Sequence, residues 1–323
     1  MALGVALVMF VCGLFFIIKG GDILVRAALS LNKVTGINQI IIGATFVSVA
    51  TTLPEVFVSI FAVAAGNHGI AVGNAVGSMI VNIALVLAIP LAFMPNSIKR
   101  GEVLFKTIFL LLITAVVFLF AMNLQISWYE GIILLCAFAF FLLSNVREDK
   151  KTRCEIKKLQ SKEFYRKEWL KIFGGFIFGQ AILCVGAFAL VKYGEQLANM
   201  FKVSETVVGF TIIAIGTSLP ELTTAITSIR CKSGGLAVGN VIGANVINCT
   251  LLLGVCGIIG DIKGDSLPVS RETVFIAIPV LFFMTIIAVL PLLIKGKASR
   301  WQGTVLLLSY IAYVTYLLVV QPL

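Results

Sequence analysis

The chain has 323 residues, of which 59% are hydrophobic and only 12% are charged, with a mean hydropathy of +1.07. A soluble domain carries about 25% charged residues, so this composition excludes a water-soluble fold, and its apolar richness excludes disorder. The net charge of +10 comes without a basic stretch interleaved with stacking aromatics, so no nucleic-acid partner is expected. The sequence predicts an all-α integral membrane protein, surrounded by membrane lipid.

A bilayer core about 30 Å thick needs about 20 apolar residues per helix, and this length divides the chain into ten predicted transmembrane helices. The predicted spans are 2–18, 37–64, 70–93, 102–122, 127–145, 170–191, 204–229, 235–259, 272–294 and 302–320. The long polar stretch between the fifth and sixth spans is strongly basic. We therefore expect three parts: a five-helix unit at 1–145, a basic linker at 146–169 and a second five-helix unit at 170–323.

The distribution of basic residues predicts the orientation in the membrane. With the linker placed in the cytoplasm, 21 of the 25 Lys and Arg lie on cytoplasmic segments, which is the bias that sets topology. Both termini are then outside, and the predicted location is the cell (inner) membrane. At the cytoplasmic boundary of the first span, Asp22 is followed four residues later by Arg26, a spacing that predicts a local ion pair.

The two units are copies of each other. At an offset of 166, residues 43–89 match 209–255 without a gap, and 16 of the 47 positions are identical. The matches include polar and helix-breaking residues that chance similarity between apolar segments does not produce: Thr51/Thr217, Pro54/Pro220, Glu55/Glu221, Asn74/Asn240 and Asn82/Asn248. Because each copy has five spans, an odd number, the second copy enters the bilayer from the opposite side. Inverted repeats of this kind are typical of secondary transporters, with the site at the repeat interface.

Glu55 and Glu221 lie inside apolar spans that contain no basic partner. Each buried acid costs about 2.5–3.5 kcal/mol on insertion scales, so either the two acids are protonated or they bind a cation. Thr51 and Thr217 lie four residues before them, on the same helix face. Pro54 and Pro220 lack an N–H, which frees the carbonyls of Ala50 and Gly216 to act as ligands. An all-oxygen ligand set suits hard cations, and Ca²⁺ fits better than Mg²⁺.

These motifs, TTLPE (51–55) with GNAVGSMIVN (73–82) and GTSLPE (216–221) with GNVIGANVIN (239–248), resemble the paired repeats of the Ca²⁺:cation antiporter superfamily, and most closely prokaryotic sodium/calcium exchangers. The resemblance implies ten helices in two inverted five-helix repeats, a secondary active antiporter exchanging Ca²⁺ for Na⁺ by alternating access, and no cofactor. It also implies that the first and sixth spans are the moving elements.

The resemblance implies a set of ion ligands in which the two acids are central. Ser48, Thr51, Thr52, Glu55, Ser78 and Asn82 come from the first repeat, and Ala214 (through its carbonyl), Thr217, Ser218, Glu221 and Asn248 come from the second. The chain departs from the family pattern at Met79, Ala244 and Asn248, where such exchangers often have Asn, Ser and Asp. The departures leave the counter-ion open between Na⁺, H⁺ and K⁺, and the stoichiometry open as well.

Three alternatives remain beside Ca²⁺/Na⁺ exchange. A Ca²⁺/H⁺ (or K⁺-dependent) exchanger would use the same site. A passive cation channel would conduct Ca²⁺ without a counter-ion. An intramembrane hydrolase would need catalytic motifs such as HExxH or paired membrane Asp, neither of which the sequence contains. We therefore expect a transporter rather than an enzyme.

Overall fold

The computed structural model describes residues 2–94, 100–152, 162–200, 214–262, 264, 266–295 and 298–320. Apart from one short strand pair, the regular structure of these residues is helical. The helices of the first repeat are α1 (Ala2–Thr35), α2 (Gln39–Ile42), α3 (Ser48–Ala64), α4 (His68–Val81), α5 (Ala88–Phe93), α6 (Arg100–Ala121) and α7 (Trp128–Thr152). Those of the second are α8 (Lys162–Met200), α9 (Ala214–Arg230), α10 (Gly234–Ile247), α11 (Leu253–Ile262), α12 (Ile278–Lys295) and α13 (Arg300–Val320).

Short π-helical turns join several of these helices into continuous spans. They lie at Gly43–Val47, Asn82–Val86, Asn248–Leu252 and Thr273–Ala277. Within the described ranges, eight helical segments are long and apolar enough to cross a bilayer. α9 and α13 are the other two long helices at predicted spans, so each of the ten predicted spans contains a described helix. Residues 204–213 of the seventh predicted span lie outside the described part.

Helices α1 and α8 run antiparallel to each other. A Cβ added at Gly186 would lie 2.8 Å from the carbonyl oxygen of Gly13, and one at Gly20 would lie 2.8 Å from that of Gly179. Contacts whose residue numbers rise on one helix and fall on the other define an antiparallel pair. Because α1 and α8 hold equivalent places in the two units, their opposite directions show that the repeat is inverted.

Equivalent residues of α1 and α8 are separated by a different number of residues from those of the later helices. The Lys19 ammonium lies 5.7 Å from the centre of the Phe15 ring, and Lys192 lies 5.9 Å from that of Phe188. These two cation–π contacts are separated by 173 residues, seven more than the offset of 166 that relates the later helices. The first helix of each repeat is therefore also duplicated, and Gly13 and Gly186 are equivalent residues that face each other.

A two-stranded antiparallel pairing connects the loop before α7 to the loop after α11. Strand β1 (Gln125–Ile126) pairs with β2 (Leu267–Pro268), with Ile126 opposite Leu267. Both loops therefore lie on the same face of the membrane, as four crossings between them require.

Some predicted boundaries differ from the structure. α1 continues to Thr35, well beyond the predicted end of the first span at residue 18, because a helix that packs against protein can extend past the bilayer. α7 and α8 both reach into the predicted linker 146–169, whose residues 153–161 lie outside the described part. The predicted ion pair between Asp22 and Arg26 is not formed. Arg26 is exposed, and the Asp22 carboxylate instead accepts a 2.6 Å hydrogen bond from Thr227 of α9.

Candidate cation site

Helices α3 and α9 place the two acids of the predicted site at the centre of the protein. Each helix contains an internal proline, Pro54 or Pro220, one residue before its glutamate. Glu55 and Glu221 are both fully buried, and so are Thr51 and Thr217 one turn before them. The missing N–H of each proline leaves a carbonyl in the preceding turn without its helical partner. The i, i+4 pattern of the sequence therefore forms the two equivalent halves of one buried polar region.

Hydrogen bonds between the repeats hold these halves together. The Thr51 hydroxyl donates to Asn240 Oδ1 at 3.3 Å, and the Thr217 hydroxyl donates to Asn74 Oδ1 at 3.2 Å. The two hydrogen bonds are equivalent, because each partner in one bond occupies the position 166 residues from its counterpart in the other. The threonines of one repeat are therefore oriented by the asparagines of the other.

The same two asparagines also support the helices that carry the acids. Asn74 Nδ2 donates to the Glu55 carbonyl at 3.2 Å and to Ser59 Oγ at 2.9 Å. Asn240 Nδ2 donates to the Thr224 hydroxyl at 2.8 Å, which in turn donates to the Glu221 carbonyl at 2.9 Å. Sequence reasoning did not place Asn74 and Asn240 at the site, although their match between the repeats was the signal that could have done so.

The two carboxylates differ in their contacts. Glu221 Oε1 accepts a hydrogen bond from the Thr52 hydroxyl at 3.1 Å. Both carboxylate oxygens of Glu55 and the second oxygen of Glu221 have no hydrogen-bond partner. The two acids are close enough to interact electrostatically, and within the described residues neither forms an ion pair with a Lys or Arg. Two buried acids from different repeats, without a Lys or Arg partner, form an acidic region at the repeat interface.

Asn82 and Asn248 lie at the point where a helix changes into a π-turn. Asn82 is the first residue of the turn after α4, and Asn248 is the first residue of the turn after α10. A π-turn has one more residue per hydrogen-bonded turn than an α-helix, which changes the direction of the side chains around it. Such turns are frequent at functional sites. Both amides are fully buried, and neither has a hydrogen-bond partner for its oxygen or its nitrogen.

The remaining predicted ligands surround this region. Ser48 is fully buried and donates to the Thr45 carbonyl at 3.3 Å. The hydroxyls of Ser78 and Thr217 are 3.4 Å apart, whereas Ser218 Oγ is buried without a partner. Ala214 is the first residue of α9, and the structure describes its backbone alone. Of the eleven predicted site residues, the other ten are all buried.

The departures from the family pattern change the surroundings of the site. Met79 Sδ lies 3.1 Å from Cys249 Sγ, and the Met79 carbonyl accepts a 3.2 Å hydrogen bond from Asn245. Ala244 is buried where the first repeat has Ser78, so Thr51 lacks the hydroxyl neighbour that Thr217 has.

Buried polar atoms without a hydrogen-bond partner are concentrated in this region. Of the 13 buried side-chain atoms without a partner among the described residues, eight belong to Glu55, Glu221, Asn82, Asn248 and Ser218. Unsatisfied buried polar atoms are rare because each costs about 1–3 kcal/mol, so a concentration of them indicates a ligand. Six of these eight atoms are carboxylate, amide or hydroxyl oxygens, the ligand atoms that hard cations prefer. No group of three or more His, Cys, Asp or Glu that could hold a metal occurs within the described ranges.

Together these features describe a multi-pass membrane protein with a buried, oxygen-rich acidic region between two inverted repeats. The family model described as "Sodium/calcium exchanger protein" matches residues 5–147 and 171–319, and the chain belongs to this family. It is a Ca²⁺/cation exchanger and not an enzyme. Ca²⁺ and Na⁺ as the transported ions, with no cofactor, are consistent with the exchangers that it resembles.

Individual relatives match over nearly the whole chain. The inner membrane protein YrbG of Escherichia coli is 32% identical, with 98% of each chain covered. The sodium/calcium exchanger MaX1 of Methanosarcina acetivorans is 28% identical over 94% of this chain and 96% of its own. Among solved structures, the sodium-calcium exchanger NCX_Mj soaked with 10 mM Na⁺ and zero Ca²⁺ has a TM-score of 0.84 and 28% identity, with 98% of this chain and 99% of that chain covered.

Proposed function

We propose that this chain exchanges Ca²⁺ for Na⁺ across the cell membrane, with both ions competing for the site between Glu55 and Glu221. The concentration of buried, unpartnered oxygens at these acids and at Asn82 and Asn248 carries the proposal. Two carboxylates supply a charge of −2, which one Ca²⁺ neutralises. The similarity to MaX1 and NCX_Mj, both named as sodium/calcium exchangers, supports Na⁺ as the counter-ion.

The ligand set we propose has two carboxylates at its centre and neutral oxygens around them. The neutral oxygens come from Ser48, Thr51, Thr52, Ser78, Asn82, Ala214, Thr217, Ser218 and Asn248. Because Asn248 carries no charge, bound Ca²⁺ leaves the site neutral. An empty site keeps two like charges in a low-dielectric region, which is unfavourable.

This charge balance also supports coupled exchange by alternating access. An empty, doubly negative site is costly to move between inward-facing and outward-facing states, whereas a cation-filled site is not. The α1–α8 contact, where Gly13 faces Gly186 and Gly20 faces Gly179, lets the two backbones approach closely. We propose that these two helices move relative to the rest during the cycle.

For the membrane orientation, we propose that both termini lie outside and that 146–169 is cytoplasmic. The excess of Lys and Arg on the linker side supports it. A thiol-reactive, membrane-impermeant reagent applied to intact cells tests it on variants with one added Cys. A Cys placed in the linker should be protected in intact cells and react after permeabilisation.

Reconstituted vesicles test the exchange itself. Purified protein is incorporated into liposomes loaded with Na⁺, and ⁴⁵Ca²⁺ uptake is measured with Na⁺, K⁺ and pH gradients imposed one at a time. We expect uptake only with an outward Na⁺ gradient. Uptake driven by a pH gradient in Na⁺-free buffer would identify the Ca²⁺/H⁺ exchanger instead. Dependence on K⁺ would add that ion to the cycle, and uptake without any counter-ion would indicate a channel.

A further inference from the structure

An acidic side chain of α1 lies against the half of α9 that follows Glu221. Asp22 is half-buried, and its Oδ1 accepts a 2.6 Å hydrogen bond from the Thr227 hydroxyl. The preceding residue, Gly21, allows this approach, because a Cβ there would lie 2.7 Å from the Thr223 methyl group. The carboxylate is thus held at the surface between two helices rather than paired with Arg26.

Hydroxyl groups continue from the cation site towards this carboxylate. Thr224 and Ser228 follow Glu221 by three and seven residues, on the same face of α9, and each is 1% exposed. Ser228 Oγ has no hydrogen-bond partner. Thr227 lies six residues after Glu221, about 9 Å further along the helix axis. We call Thr224, Thr227 and Ser228 the α9 hydroxyl strip.

The first repeat has no such strip. At the offset of 166, its members correspond to Val58, Phe61 and Ala62 of α3. The repeat position equivalent to Asp22, at the offset of 173, is Glu195. Because α1 and α8 are antiparallel, Asp22 and Glu195 lie towards opposite faces of the membrane. The face at which α9 ends therefore has an acid and hydroxyls together.

On the basis of the proposed exchange, we propose that Asp22 attracts cations to the Glu55–Glu221 site from the face at which α9 ends, which is the cytoplasmic face in the orientation above. Asp22 is too far along α9 from Glu221 to be a ligand in this structure. Its charge acts at a distance, by raising the local cation concentration at one mouth of the pathway. The attraction is twice as large for a divalent ion as for a monovalent one, so it favours Ca²⁺ over Na⁺.

Two variants separate the charge of Asp22 from its hydrogen bond. Asp22→Asn removes the charge and keeps an oxygen that can accept from Thr227, whereas Thr227→Val removes the hydrogen bond and keeps the charge. Exchange is measured in everted and right-side-out membrane vesicles from expressing bacteria, which present opposite faces to the medium. For Asp22→Asn we expect the cytoplasmic-face KM for Ca²⁺ to rise about fivefold, which is less than the effect of about tenfold or more produced by a whole charged cleft, because a single charge is removed. The KM for Na⁺ should rise less, and the outer-face KM and the maximal rate should stay unchanged.

Matched controls make the result specific. Thr227→Val and Asp22→Glu should keep the cytoplasmic-face KM for Ca²⁺ within about twofold of wild type, since both retain the charge. Glu195→Gln should also leave the KM at that face unchanged. The Asp22→Glu variant remains informative if Asp22→Asn does not fold, because a KM raised about fivefold with the charge retained would overturn the proposal.

Other outcomes of the same measurement contradict the proposal. An unchanged KM in Asp22→Asn, an equal rise at both faces, a rise confined to the outer face, or an equal effect of Thr227→Val would each overturn it. Loss of exchange by a stably folded Asp22→Asn protein would do so too, because a distant charge is not essential for transport. Exchange by wild-type vesicles tests the proposed function independently of Asp22. If wild-type vesicles do not exchange Ca²⁺ for Na⁺, the proposed function itself is wrong.

Discussion

The two repeats contribute equivalent positions to the candidate site, but the contacts made at these positions are only partly equivalent. The scaffold contacts are symmetric: Thr51 with Asn240 in one direction, Thr217 with Asn74 in the other. The carboxylate contacts are not, because Thr52 donates to Glu221 whereas the equivalent Ser218 leaves Glu55 without a partner. The duplication therefore preserves the hydrogen bonds between the repeats, whereas the polar contacts of the two carboxylates differ between the halves.

The largest expected effect comes from removing either acid. Glu55→Gln and Glu221→Gln each keep the size of the side chain and remove one of the two negative charges of the proposed site. Breaking a buried charge pairing costs about 3–5 kcal/mol, so Ca²⁺ exchange should fall by more than about a hundredfold in both. The measurement is ⁴⁵Ca²⁺ uptake into Na⁺-loaded liposomes, with the thermal stability of the purified variant as the control for folding. Near-wild-type exchange in one variant would show that only one repeat supplies an essential ligand.

A second prediction concerns the packing between the repeats. In Gly239→Ala the new methyl group would overlap the Ile40 backbone, so α2 and α10 would have to separate. Overpacking costs about 1–3 kcal/mol, and the melting temperature in detergent should fall by several degrees. Gly69→Ala is the matched control, since a Cβ there meets nothing within 4 Å. Equal melting temperatures for the two variants would contradict this account of the contact.

A third prediction concerns Asn248, the position in the second repeat where related exchangers often have Asp. Asn248→Asp adds a charge beside Glu55 and Glu221 at a buried amide that has no partner. We expect the apparent affinity for Ca²⁺ or the ion selectivity to change by about tenfold, equivalent to about 1.4 kcal/mol. Asn82→Asp, its equivalent in the first repeat, should act in the same direction. Ca²⁺ competition against Na⁺ in the vesicle assay measures both, and no change in either variant would place these amides outside the ion pathway.

The smallest expected effect separates the two hydroxyls that follow Thr51 and Thr217. Thr52→Val removes the hydrogen bond to Glu221, whereas Ser218→Ala removes a hydroxyl that has no partner. A hydrogen bond to a charged group contributes about 1.5–3 kcal/mol, part of which bound ions replace. Thr52→Val should therefore shift the KM for Na⁺ more than Ser218→Ala does. The reverse order would mean that Ser218 contacts the ion and Thr52 does not.

The all-helical membrane fold, the duplication and the two buried acids of the candidate site could all be predicted from the sequence. These follow from local physical chemistry: apolar runs of bilayer length, an ungapped offset of 166, and two acids without a base. The i, i+4 spacing of Thr51 and Glu55 also required only helical geometry. The ten described side chains of the predicted set are all buried.

The contacts between the repeats could not be predicted, because they depend on how the helices pack in the folded chain. Asn74 and Asn240 contact the threonines one turn before the two acids because the inverted repeats bring together residues 143 and 189 positions apart, which no local pattern encodes. Likewise, i, i+4 spacing predicted that Asp22 would pair with Arg26, but packing of α1 against α9 directed it to Thr227. Spacing along one helix limits which partners are within reach, and the neighbouring helix determines which partner is bound.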